Sequence, residues 1–121
     1  MKKTLVLGAS ANPDRYSYLA VQFLKKANQE IIALGMNPGE IEGIPILTGK
    51  PELKNIDTIT LYLNPSRQEA YYDYLLSLKP RRIIFNPGTE NYEFMQRAKQ
   101  AGIHVLAACT LVMLNTGNYQ R

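Results

Sequence analysis

The sequence predicts an α/β domain with an open, doubly wound, mostly parallel five-stranded sheet and helices on both faces. Two observations carry this. Short apolar runs alternate with helical stretches along the chain, in the order β-α-β, a long connection, then β-α-β-α-β. Such alternation marks parallel strands joined by helical crossovers. The chain has 121 residues, of which 45% are hydrophobic and 20% charged. That is the size and composition of one globular domain able to bury its own core.

Each element follows from local pattern. "TLVLG" (4–8) is short, apolar and closed by glycine, as a buried strand is. "YSYLAVQFLKKANQ" (16–29) puts Leu19, Phe23 and Ala27 on one helical face, with Ala20 and Leu24 beside them. "EIIALG" (30–35) is the second strand, and the threonine- and isoleucine-rich "DTITLYLN" (57–64) the third. The connection between them (36–56) is rich in proline and glycine; it is expected to be an irregular crossover with a helical turn near Pro51 to Leu53. "SRQEAYYDYLLSLK" (66–79) reads as one helix, opened by a capping box of Ser66 and Glu69. "RRIIFNPG" (81–88) is a strand, and "NYEFMQRAKQAG" (91–102) a helix closed by Gly102. "IHVLAAC" (103–109) is the last strand, followed by a short helical turn at 110–115.

Composition excludes several classes. The formal net charge is +4, but lysine and arginine form no run longer than Lys2-Lys3, Lys25-Lys26 and Arg81-Arg82. A nucleic-acid footprint is more clustered, so no nucleic-acid partner is expected. The apolar run before Gly8 is too short for a secretory signal, and no stretch has the roughly 18 apolar residues of a membrane helix. A lone cysteine, Cys109, makes no intramolecular disulfide. A cytoplasmic protein with no membrane partner is the expectation.

Ligands of open α/β sheets bind at the carboxyl ends of the strands, near the switch in strand order. Here strand 1 ends in Gly8-Ala9-Ser10, followed by Pro13, Arg15 and Ser17 at the start of a helix. A helix start favours an anion, hydroxyls donate hydrogen bonds, and arginine pairs bidentately with phosphate. Three other strand ends carry Asn-Pro and a small residue: Asn37-Pro38-Gly39, Asn64-Pro65-Ser66 and Asn86-Pro87-Gly88. Asparagine and proline also serve purely as turn residues; four such ends on one edge favour a phosphate-bearing nucleotide, with proline rings against the base. A dinucleotide fingerprint is incomplete, because Ser10 and Pro13 replace its second and third glycines. The end of strand 2, Leu34-Gly35-Met36-Asn37, holds neither a carboxylate for a ribose nor an arginine for a 2′-phosphate. A Walker loop is absent as well.

The stretches "VLGASANPDRYSYLAVQFL" (6–24), "ALGMNPGEIEGIPIL" (33–47), "FNPGTEN" (85–91) and "AKQAGIHVLAAC" (98–109) resemble the small stand-alone CoA-binding proteins, related to the N-terminal domain of the succinyl-CoA synthetase α-subunit. The resemblance runs over almost the whole chain. It implies a Rossmann-like fold holding the ADP-pantetheine of coenzyme A. Gly8, Ala9 and Ser10 would lie under the phosphates, Pro13 in the same loop, and Arg15 and Ser17 would bind phosphate. Asn37 and Pro38 would flank the adenosine, Asn64 and Pro65 its other side, and Gly88 the pantetheine exit. Relatives often carry a lysine where this chain has Gly39; Lys50 and Arg67 are the substitutes the sequence offers.

No catalytic constellation is visible. His104 falls inside a strand, Cys109 reads as a small buried thiol, and Glu90 as a cap for the helix that follows. The larger synthetases use a phosphorylated histidine on a second domain, which this chain lacks. The expectation is a non-catalytic module for CoA or acyl-CoA. The alternatives are one subunit of a split acyl-CoA ligase or transferase, completed by a partner enzyme chain, and a domain for another dinucleotide such as NADP. Tyr71, Tyr72 and Tyr74 crowd one helix as core packing, with ring surface left over for a homodimer contact.

Overall fold

A computed structural model describes residues 2–120. In chain order its elements are β1 (Lys3–Leu7), α1 (Tyr16–Lys26), β2 (Glu30–Leu34), β3 (Gly39–Ile41), β4 (Ile44–Leu47), β5 (Ile56–Leu61), α2 (Pro65–Gln68), a 3₁₀ turn (Glu69–Tyr71), α3 (Tyr72–Ser77), β6 (Arg82–Phe85), α4 (Tyr92–Gln100), β7 (His104–Ala107) and α5 (Thr110–Asn115). The sheet runs β3-β4-β2-β1-β5-β6-β7, so it has seven strands and not five. All neighbours are parallel except β3 and β4.

The two extra strands lie in the connection expected to be irregular. β4 extends the sheet from β2, with Leu47 opposite Leu34, and β3 folds back on it as the edge. The hairpin turns on Glu42 and Gly43, both left-handed at φ 46° and 88°. Two consecutive positive φ values give the twist that a two-residue hairpin needs. Pro45 and the flanking glycines hide this strand pair from a pattern reading, since proline argues against a strand interior. No helix forms at Pro51 to Leu53.

Strand alternation divides the core into two layers. Leu5, Leu7, Ile83 and Phe85 face a cluster with Tyr72, Leu75, Phe94 and Ala98. Val6, Ala33 and Ile84 face the opposite cluster, with Val21 and Leu24 of α1. The chain leaves β1 on one side to form β2 and returns on the other as β5. The switch in strand order therefore flanks β1.

Two helices depart from expectation. α1 stops at Lys26 because Asn28 turns left-handed at φ 60°, with Gln29 N–H bonded to Leu24 O at 3.0 Å. This closes the helix in a Schellman motif. Its buried face is Ser17, Ala20, Val21 and Leu24, not Leu19, Phe23 and Ala27. The expected single helix at 66–79 is broken by the 3₁₀ turn, whose tighter winding shifts the phase of the next helix. Tyr72 thereby becomes the buried tyrosine, stacked on Phe94 with ring centroids 4.6 Å apart. Tyr71 and Tyr74 pack at the periphery of that cluster. α4 ends at Gly102, φ 81°, as its sequence suggests. Among the described residues no helix is long and apolar enough to cross a membrane.

At the amino ends of the strands, Arg82 is buried, and among the described residues it has no carboxylate partner. Its guanidinium lies 4.5 Å from the Tyr119 ring centroid, donates to Thr58 Oγ1 at 2.8 Å and also donates to the Tyr119 carbonyl. Tyr119 hydrogen-bonds Thr4, which ties the segment after α5 to β1.

Candidate functional site

The carboxyl ends of β1, β2, β5 and β6 enclose a cleft of about 660 Å³. That is ample for a nucleotide-sized ligand. Its lining includes Gly8, Ala9, Ser10, Arg15, Ser17, Asn37, Pro38, Asn64 and Gly88, so these sequence-expected residues come together. Pro13 and Pro65 lie outside the lining. Pro65 instead occupies the first turn of α2, where its fixed φ suits helix entry.

The β1–α1 loop is shaped by backbone demands. Gly8 adopts φ +98°, and a Cβ there would sit 2.7 Å from the Tyr62 carbonyl carbon. Glycine is required because β5 passes directly behind the loop. The N–H groups of Gly8 and Ala9 both donate to Leu34 O, at 2.9 and 3.1 Å. Those amides are consumed by the fold, so the two residues contribute shape rather than donors. The donors come next. Ser10 Oγ accepts the Asn12 N–H at 3.1 Å, which leaves its own hydroxyl proton free. Asn12 Oδ1 accepts the Asp14 N–H at 3.0 Å, and Asn12 O accepts the Arg15 N–H at 3.1 Å.

Arg15 is the N-cap residue of α1, and its side chain caps nothing. Ser17 is buried in the first turn, and among the described residues its hydroxyl has no hydrogen-bond partner. First-turn amides of a helix lack intrahelical acceptors. Tyr18 N–H already donates to Arg15 O at 3.1 Å, so among the described residues the Ser10 and Ser17 hydroxyls, the Tyr16 and Ser17 amides and the unpaired Arg15 guanidinium line one wall. The lining contains arginines 15 and 67 and no carboxylate, so its field favours an anion.

The three Asn-Pro ends do different work. Asn37 is exposed in the cleft. Asn64 caps α2, its Oδ1 accepting the Arg67 N–H at 3.0 Å and the Ser66 hydroxyl at 2.7 Å. This replaces the expected Ser66–Glu69 box. Asn86 is buried and turned away from the cleft, leaving Pro87 to line it. Behind the loops, fully buried Gln68 donates to Leu63 O at 2.9 Å and Thr89 O at 2.8 Å, and accepts from Asn91 at 3.0 Å. It locks the β5–α2 and β6–α4 loops together. Glu90 accepts the Gly88 N–H at 2.8 Å, while Asn91 caps α4 through the Phe94 N–H. The expected helix cap at Glu90 is thus displaced by one residue.

Pattern reading missed Tyr16, Met36, Tyr62 and Thr89 as cleft residues. Tyr16 and Met36 are large apolar side chains left exposed, at 71% and 60%, and both lie on the cleft. Exposure of that kind cannot be seen in a sequence. Tyr62 is different: its hydroxyl is buried and, among the described residues, has no hydrogen bond. The nearby Thr60 and Thr110 hydroxyls bond each other at 2.7 Å. Burial pushes the Tyr62 phenol up to about 12, outweighing the downward pull of those hydroxyls. His104 is exposed on edge strand β7, and Cys109 is half-buried at the start of α5. Among the described residues no three potential metal ligands come together.

A family model described as the CoA binding domain matches residues 2–115. The chain belongs to this CoA-binding family. Solved structures share the fold. A crystal structure of an uncharacterized protein is 48% identical, with a TM-score of 0.95 and 98% of each chain covered. A hypothetical protein from Pyrococcus horikoshii OT3 shares the fold at 19% identity and TM-score 0.86, over 94% of this chain and 82% of its own. A Thermus thermophilus protein, cell-free ID.343, shares it at 22% identity and TM-score 0.84, over 97% of this chain and 90% of its own. No curated protein matches the chain. Within the family fold, the cleft lies at the strand-order switch, where doubly wound sheets hold their ligands.

Proposed function

We propose that this chain is a non-catalytic binding module for CoA or acyl-CoA, with the diphosphate held at the β1–α1 loop. The observation that carries the reading is the acid-free cleft wall where Ser10, Arg15 and Ser17 converge with the first turn of α1. Family membership supports CoA as the nucleotide. The Ser10 hydroxyl and first-turn amides supply directed donors, and Arg15 supplies a fork matched to phosphate oxygens. Met36 and Pro38 offer apolar surface for the adenine. Gly88 leaves a side-chain-free exit for the pantetheine near β6.

Calorimetric titration of ligand-free protein with CoA, 3′-dephospho-CoA, NADP and ATP tests this. CoA is expected to bind tightest. Tighter NADP binding, or no binding of any nucleotide, overturns the reading.

A further inference from the structure

An open sheet ends in two edge strands, each with a row of unpaired backbone groups that proteins guard with charge, proline or brevity. One edge here is guarded. β3 is three residues long, carries Glu40 and leads into the turn at Glu42. The other edge, β7 with the sequence HVLA, has no such charge or proline. Residues 100–120 contain no lysine, arginine, aspartate or glutamate, in a chain whose other residues carry a net charge of +4.

The hydrogen bonds of β7 fix which groups face outward. His104 N–H donates to Arg81 O at 3.0 Å and Ala108 N–H to Phe85 O at 3.1 Å, both on the β6 side. Backbone groups alternate sides along a parallel strand, so Leu106 also turns toward β6. The N–H and C=O of Val105 and Ala107 then face the open edge. Among the described residues no turn or loop bond reaches them. The Val105 and Leu106 side chains are half-buried at the rims of the two core layers.

We propose that β7 is the docking edge for a second copy of this chain, paired antiparallel about a two-fold axis at Leu106. In that register Val105 faces the partner's Ala107, and Ala107 the partner's Val105. Each pair exchanges two N–H···O bonds, which satisfies every outward group of both strands. Leu106 meets the partner's Leu106 at a non-hydrogen-bonded position, where side chains approach most closely. The charge-free strip offers a charged partner no counter-ion, whereas a copy of the chain brings an equally neutral strip, and the contact closes on itself. The rings of Tyr71 and Tyr74 are engaged within the chain, beside Lys50 and at the Pro51 carbonyl, and do not form this contact.

Sedimentation of the full chain tests this. Between about 1 and 500 μM the mass should move from one chain to two, as suits a weak interface of under about 1,200 Å². Hydrogen exchange on the wild type reads the register. The Val105 and Ala107 amides should slow about tenfold from the dilute to the concentrated end, while the Leu106 amide, bonded toward β6, is slow throughout. Leu106→Lys sets two cations face to face and should leave a monomer. Ala107→Pro deletes an outward N–H, a change that an edge position tolerates, and should also leave a folded monomer. A wild type that stays monomeric over the whole range overturns the proposal and leaves the edge to some other strand or to none. A dimer that forms without slowing the Val105 and Ala107 amides overturns it as well, whether or not either variant folds.

Discussion

The Asn86 carboxamide oxygen accepts the Thr110 backbone N–H at 2.8 Å, and the same side chain donates to Thr60 Oγ1 at 2.7 Å and Leu61 O at 2.9 Å. One buried side chain thus joins the ends of β5 and β6 to the start of α5. Asn86→Ala leaves several of these groups buried and unpaired. It should cost about 3 kcal/mol, read in urea unfolding as a lower midpoint with an unchanged slope. An unchanged midpoint would mean that the network contributes nothing.

Gly8→Ala forces a Cβ to within 2.8 Å of both the Tyr62 carbonyl carbon and oxygen at a left-handed φ of +98°. Backbone lies on the other side of that contact, so it cannot swing away. The variant should lose about 3 kcal/mol or more and its nucleotide binding. Thermal melting with and without CoA measures both; a wild-type melt would refute the close approach.

Arg15→Ala removes a side chain that caps nothing. CoA affinity should fall about 10- to 100-fold while the melting temperature stays within about 2 °C of wild type. Unchanged affinity by titration calorimetry removes Arg15 from the site.

The Tyr62 phenol stands at about 12 in the folded chain against 10.0 for a free tyrosine. The native state holds its proton where the unfolded chain has released it, so the contribution is present below pH 10 and is lost as pH rises toward 12. Stability should decline by about 2 kcal/mol over that window. Tyr62→Phe should flatten the decline and change stability at pH 7 by less than about 1 kcal/mol, since the hydroxyl it deletes has no hydrogen-bond partner. Unfolding titrations at pH 7 through 12 make the comparison; an unflattened decline in Tyr62→Phe assigns it to other groups.

The alternation of β1, β2, β5, β6 and β7 with their helices was legible because burial writes itself into short apolar runs, most fully in the inner strands, as in Leu5, Val6 and Leu7. The β3–β4 hairpin was not, because Pro45 and Gly43 read as breakers while tertiary pairing with β2 decides the outcome. The site edge was readable for a topological reason: strand ends share one side of a parallel sheet. The separate duties of Asn37, Asn64 and Asn86 were not, since one dipeptide serves as cleft wall, helix cap or buried tie according to which way its side chain turns. Tyr16 and Met36 escaped notice because local periodicity is silent on which apolar side chains stay uncovered.

The self-braced turn running from Ser10 through Asn12 to Arg15 has a kinetic meaning. Its hydrogen bonds hold the loop in shape without a guest, so little ordering has to accompany arrival. Encounter is then governed by diffusion and by the pull of the acid-free cleft, and related nucleotides should arrive at similar speeds. Discrimination among them falls on how long each one stays.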